Sequence, residues 1–259
     1  MINKISANNS NTPNFTHNSR TDMNKKQKAV VMASSVAGMT PVIMVLAKRK
    51  GFSLNPKKIM KTNYKDWAIF KYSPEEKAID FGNPINIIAT AAGSVAGGFI
   101  SGSIVDHKNV RAKKREVLSQ ILGNILVPIT TVWLASKAFT KYKFRLEEAM
   151  PQIKSVKKPV KIINNVLKKL PQAAATLSAL GVGIFLGNRV SNYINEKVYN
   201  KKVERDIRAT DFAPHVDDLC MATTMMDPNS TFGKKLGKII PLALVVPGYQ
   251  TGIAQEHEL

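Results

Sequence analysis

Three stretches of this chain hold no charged residue over a length that crosses a lipid bilayer: 29–47, 85–105 and 117–136, of 19, 21 and 20 residues. A hydrocarbon core about 30 Å thick takes about 20 helical residues, each rising 1.5 Å. Two further charge-free stretches, 173–188 and 239–254, have 16 residues each. They reach spanning length only by drawing on flanking residues such as Leu170, Pro171, Val190 and Lys238. None of the 38 Lys and Arg or the 18 Asp and Glu falls inside the five. Buried helices of soluble proteins are usually shorter, and one domain seldom supplies three such runs. The expected fold is all-α: a polytopic helical membrane protein with about five apolar helices, joined by basic loops and flanked by amphipathic surface helices. The mean hydropathy of −0.12 is low for that class, as it must be if long basic loops dilute the spans.

The formal charge of +20 calls for an anionic counterpart, either nucleic acid or the headgroups of a membrane. Basic loops set beside apolar runs favour membrane lipid with anionic headgroups over nucleic acid. A second copy of the chain or another membrane protein is the other partner expected. Cys220 is the single cysteine, which excludes an intramolecular disulfide and any cysteine-based metal cluster. A bacterial cytoplasmic membrane is the expected location, with a eukaryotic endomembrane as the alternative.

Residues 1–27 read as a disordered polar leader and 28–259 as the helical membrane domain. The first 22 residues are rich in Asn, Ser and Thr. Met23 then opens a basic stretch with Lys25, Lys26 and Lys28 that resembles a signal n-region, and it is a candidate alternative start. Val45 and Ala47 even fit a cleavage site, but the 19-residue core exceeds that of a cleaved signal. A retained anchor follows from that length. The loop 48–84 interleaves lysines with Tyr64, Trp67, Phe70 and Tyr72, residues that concentrate at the headgroup layer.

The segment 154–170 predicts a surface-lying amphipathic helix. Val160, Ile163, Val166, Leu167 and Leu170 share one face, while Lys157, Lys158, Lys161, Lys168 and Lys169 are the expected lipid-binding residues. A charged helix is expected over 189–208. A short one should then follow, capped by Thr210 or Asp211 and ended by Pro228 and Asn229, with Val216, Leu219, Cys220 and Thr223 packed on the membrane domain.

The apolar runs resemble one another. Runs 2 and 4 share a small-residue signature in Gly98 with Gly102 and Gly183 with Gly187, and Gly93 with Gly97 adds a second pair. Runs 1, 3 and 5 each carry a glycine ahead of a proline: Gly38 and Pro41, Gly123 and Pro128, Gly237 and Pro241. The order suggests two and a half copies of a degenerate two-helix unit. Glycines four apart let backbones approach closely, the expected role of all six glycines of runs 2 and 4. Pro41, Pro128, Pro241 and Pro247 are expected to kink their helices and free carbonyls that neighbours must satisfy.

Sidedness does not follow from charge. In a five-span topology the loops on each side carry 19 Lys and Arg, so the positive-inside rule ties. Re-entrance or partial insertion of run 4 or run 5 is the favoured way out.

Little points to chemistry. Asp211, His215, Asp217, Asp218 and Cys220 form the densest group of metal-ligating types, with His215 and Asp218 near one another on a helix. They lack a standard zinc spacing, and the carboxylates are accounted for as first-turn helix charges, so neither a metal nor a catalytic site is expected. Gln120, Asn124, Asn188 and Gln250 lie in or at the edges of the runs, where hydrogen bonding between helices is their expected use. Phosphate-loop, nucleophile-elbow and metalloprotease signatures are absent. The terminal Glu256-His257-Glu258-Leu259 departs from an ER-retrieval signal at its first position. The expected function is a non-enzymatic membrane scaffold with lipid-contacting basic loops and no cofactor, the alternative being a small pore or solute facilitator built from the glycine- and proline-broken helices.

Overall fold

A computed structural model describes residues 23–69, 79–154, 158–200, 205–220 and 238–256, which are helical with no strand among them. The first long helix, α1 (Lys25–Arg49), starts at a capping box. The Asn24 side chain accepts from the Gln27 amide, and the Gln27 side chain accepts from the Asn24 amide, both at 2.9 Å. The polar leader expected to reach residue 27 therefore gives way to helix at Lys25, and 1–22 lies outside the described residues. After the short α2 (Pro56–Lys61), α3 (Pro84–Val105) is capped by Asn83 with Pro84 in its first turn.

Helix α4 (Val110–Leu118) passes without a break into a π-helix at Ser119–Leu126 and on into α5 (Val127–Ala149). Run 3 is thus no simple proline-kinked span. It widens to π geometry just ahead of Pro128, whose missing N–H interrupts the α-helical ladder. Helix α6 (Lys158–Tyr199) has 42 residues and contains Pro171, so it extends about 63 Å. The surface helix expected over 154–170 and the charged helix expected after residue 189 are therefore the two ends of one rod, with run 4 at its middle. Helical continuity also cures the shortness of run 4, because residues 170–188 give 19 uncharged positions between Lys169 and Arg189.

Run 5 behaves differently. Residues 238–243 are helical, a turn follows at Leu244 and Val245, and α7 (Val246–Ile253) has only eight residues. Its length of about 12 Å is less than half a bilayer core. Pro247 sits in the first turn of α7, where proline is compatible with helix, rather than kinking a longer one. Among the described residues, four helical segments are long and apolar enough to cross a membrane: Lys25–Arg49, Pro84–Val105, His107–Tyr142 and Ile163–Tyr199.

Two hairpins organise these segments, and close glycine contacts hold each. In the first, Gly38 of α1 meets Gly93 and Gly97 of α3, and Gly97 also faces the Ser34 carbonyl. In the second, Gly123 of the π-helix meets Gly187 of α6, while Gly183 packs on Pro128 and Thr131. A glycine of a proline-bearing helix thus packs on a glycine of its partner in both hairpins. A third seam joins α3 to α7 in parallel, Gly98 against Gly248 and Gly102 against Gly252. Helix α3 serves two partners because its adjacent glycine rows, 93/97 and 98/102, lie about 100° apart around the axis. Pro41 lies within an unbroken α1, Pro241 lies in the helical turns at 238–243, and Gly237 falls outside the described residues.

The Gln27 side chain donates to the Val105 carbonyl at 2.8 Å, and the Glu256 amide donates to the Asn109 side chain at 3.3 Å. Residues 24–27 and 254–256 therefore meet the same end of the bundle. A chain with five full crossings would put them at opposite ends, and run 5 is broken by the turn at Leu244 and Val245.

The distribution of polarity is inverted relative to a water-soluble bundle. Val36, Val45, Ile100, Ile104, Leu134 and Val182 are exposed on the long helices, whereas Lys113, Arg115, Glu116 and Arg205 are buried. Only 22 % of the apolar window of α1 is covered by other parts of the chain.

Candidate functional site

Arg205 lies at the centre of the buried charges. Its guanidinium donates from Nε to Glu116 Oε2 at 3.0 Å and from Nη2 to Glu116 Oε1 at 3.0 Å. On its other edge Nη1 and Nη2 reach Asp211 Oδ2 and Oδ1 at 2.9 and 2.7 Å. One planar cation thus grips two carboxylates bidentately, a geometry lysine does not reproduce. Burial opposes the Arg205 charge, but hydrogen bonds and charges from Asp211 and Glu116 outweigh it and hold the guanidinium protonated more firmly than usual.

The helix through Glu116 supplies a polar ladder at i, i+4 and i+8. Gln120 Nε2 donates to Glu116 Oε1 at 2.6 Å, and Asn124 Nδ2 donates to Gln120 Oε1 at 3.1 Å and to Asp211 Oδ1 at 2.6 Å. Asp211 Oδ2 also accepts the Arg208 amide at 2.8 Å. Asp211 was expected to cap a helix; it instead lies in a 3-10 turn (Ala209–His215) and ties that turn to the π-helix. From α6, Asn188 and Asn192 donate to the Arg205 carbonyl at 2.8 and 3.2 Å, and Asn195 donates to the Arg115 carbonyl at 3.2 Å.

A second group closes the chain's far end. Lys113 Nζ binds Asp106 at 2.8 Å and the Ala254 carbonyl at 3.0 Å, Asn109 joins Asp106 to Gln255, and Arg115 pairs with Glu256. Its members bind one another, and the group docks residues 254–256 against α4.

His215 continues the first network. Its Nε2 lies 2.7 Å from the Asn124 carbonyl, the group whose α-helical donor would be the N–H that Pro128 lacks. Its Nδ1 lies 3.5 Å from Asp218 Oδ2. His215, Asp217 and Asp218 each bring a ligand-type atom within 4.8 Å of the other two. Burial, and next the adjacent Asp218 carboxylate, push the Asp217 carboxyl well above its ordinary range. Cys220, the other member of the sequence cluster, is buried in the apolar core instead, with Val216 packed against that core. Leu219, expected on the same face, is exposed, and Thr223, Pro228 and Asn229 fall outside the described residues.

Of the residues expected to bind lipid, Lys168 is exposed and Lys169 half-buried on α6, one turn before the apolar stretch. Lys158 and Lys161 lie on the first turns of α6, and Lys157 lies outside the described residues. Sequence reasoning passed over Glu116, Arg205, Gly248 and Gly252. The last two carry the same four-residue spacing as the glycines of α3 and were open to the same argument. Glu116 also had a signal, since it stands four residues before Gln120 and eight before Asn124. Arg205 had none, because its partners come from 89 and six positions away.

Replacement of Asn124 by Leu removes the link between Asp211 and Gln120. Because the partners stay buried, the cost should be about 1–3 kcal/mol, read as a lower midpoint of thermal unfolding in detergent.

Comparisons with protein-family models, with curated proteins and with solved structures each returned no match.

Proposed function

We propose that this chain is an integral membrane scaffold, without enzymatic activity, that presents a rigid lysine-rich helical hairpin to an anionic lipid surface. The observation that carries this reading is the continuity of α5 and α6 beyond their apolar stretches. Residues 137–149 and 158–169 continue the two helices by about 20 and 18 Å. They contain eight Lys and Arg against two Glu. Lys137, Lys141, Arg145 and Lys168 are exposed there. Lys137 folds its ammonium over the Trp133 ring at 3.7 Å, the aromatic-and-cation pair that suits a headgroup boundary. The turn is pinned as well, since the Asn164 side chain exchanges two 2.9 Å hydrogen bonds with the Ile153 backbone. The hairpin therefore stands off the apolar layer as an extension of the spans.

The inverted polarity supports membrane integration, because exposed aliphatic faces around a charged interior are stable in hydrocarbon and costly in water. Of the four polar residues that a solute path would use, Gln120 and Asn124 are sealed inside the Arg205 network, while Asn188 and Gln250 are half-buried, which weighs against the facilitator alternative. A bacterial cytoplasmic membrane remains the proposed location.

The test uses the full chain in neutral phosphatidylcholine nanodiscs, mixed with vesicles containing phosphatidylserine. Binding should be measurable at low salt and lost near 1 M salt, where the Debye length falls to about 3 Å. Each basic residue near such a surface is worth about 1 kcal/mol. Changing Lys137, Lys141, Arg145 and Lys168 together to Gln should therefore weaken binding on the order of a thousandfold. Equal binding by that variant, or salt-independent binding by the parent, would overturn the reading.

A further inference from the structure

We infer that His215, Asp217 and Asp218 form a binding site for one divalent transition-metal ion of the zinc class. The argument starts from the imidazole. A carbonyl oxygen only accepts, so the 2.7 Å contact with the Asn124 carbonyl places the ring proton on Nε2. Nδ1 is then the nitrogen that faces an Asp218 carboxylate oxygen, 3.5 Å away, and it is the one free to coordinate. His215 is 3 % exposed and Asp218 6 % exposed, so solvent does not separate two acceptors turned toward one another. Close by, Asp217 Oδ1 is sealed from solvent and has no hydrogen-bond donor. Ligand-type atoms of all three residues thus lie within 4.8 Å of one another, and one cation satisfies them together.

Distance distinguishes a metal ion from a proton. A shared proton would draw nitrogen and oxygen to about 2.7–3.2 Å. Two atoms each about 2.1 Å from a common ion, at ordinary coordination angles, stand about 3–3.5 Å apart, and the observed 3.5 Å fits that geometry. The bond from Nε2–H to a backbone carbonyl is also the outer-shell contact that orients metal-binding histidines. Two carboxylates match a divalent charge, and an imidazole with two oxygens suits a zinc-class ion over calcium, which takes six to eight oxygens. Three protein ligands leave positions for water. Residue types alone did not reveal the site because its order, His-x-Asp-Asp, has no standard spacing. The turn from the 3-10 segment into the helical residues 216–220 brings the three side chains together. The scaffold reading stands or falls separately, since the hairpin charges lie on other helices.

Cobalt(II) titrated into metal-stripped, full-length protein without a polyhistidine tag tests the inference. The expected result is a visible ligand-field band that saturates at one equivalent and is bleached by zinc. Asp217→Asn is the informative variant, because Oδ1 has no partner to lose. It should weaken binding by at least about 100-fold at unchanged far-UV circular dichroism and elution volume. Asp218→Asn should do the same, whereas changing His17 and His257 together to Ala should leave the band intact. No saturable band from the parent protein, or a band unaltered in both Asp variants, would overturn the inference. A band lost with His17 and His257 would assign the metal to the termini and overturn it equally.

Discussion

Arg205→Met should be the most damaging single substitution in the charged interior, lowering stability by about 3–5 kcal/mol. Methionine fills much of the same space, so packing is not the main loss. The cost arises because Glu116 and Asp211 are buried and both lose the cation that neutralises them. The amides of Gln120 and Asn124 and the Arg208 backbone, which also donate to them, are neutral and do not replace that charge. Arg205→Lys should recover only part of the loss, since one ammonium does not make four directed bonds to two carboxylates. The triple variant Glu116→Gln, Arg205→Met, Asp211→Asn should be markedly more stable than Arg205→Met alone, because it removes the stranded charges with the arginine. Unfolding followed by tryptophan fluorescence in mild detergent measures all three. A single variant as stable as the parent would show that the network does not hold the 205–215 segment to the helix through Glu116.

Gly98→Val should be comparably severe for a steric reason. A Cβ at Gly98 would lie 2.5 Å from the carbonyl carbon of Gly248 and 2.9 Å from Ser35 Oγ. Backbone atoms of α7 cannot rotate away as a flexible side chain would, so α3 and α7 must separate. Forced overpacking of this kind costs about 1–3 kcal/mol or more, and here it also frees the segment that carries Glu256 and Gln255. The control is Gly181→Ala. It lies in the same kind of apolar run, but a Cβ there meets nothing within 4 Å, so helix propensity alone should make it neutral or stabilising by about 0.5–1 kcal/mol. Equal effects from the two substitutions would mean that helix propensity, not the seam, determines the outcome.

The contrast between Gly98 and Gly181 shows where sequence reasoning stops. Spacing of four marked Gly93, Gly97, Gly98, Gly102, Gly183 and Gly187 as contact positions, and all six meet other backbones or side chains across a seam. Spacing did not say which row of α3 faces α1 and which faces α7, because both rows satisfy the same rule. The same limit applied to charge. Counting Lys113, Arg115 and Arg205 as loop charges contributed to the tie between the two sides, yet all three are buried cations held in ion pairs.

What the sequence determined by itself is the class of fold. Uncharged runs of about 20 residues settle helical class and apolar character through local rules, since each backbone group bonds within its own helix and the run is long enough to cross a bilayer core. The tertiary structure decided whatever depends on partners far along the chain. It joined run 4 to its flanks as one 42-residue rod, broke run 5 at Leu244 and Val245, and gathered Glu116, Arg205 and Asp211 into one site. It also set His215 against the carbonyl that Pro128 leaves without its usual donor. Local periodicity carries no information about such pairings, because a buried charge declares its partner only once the helices have packed.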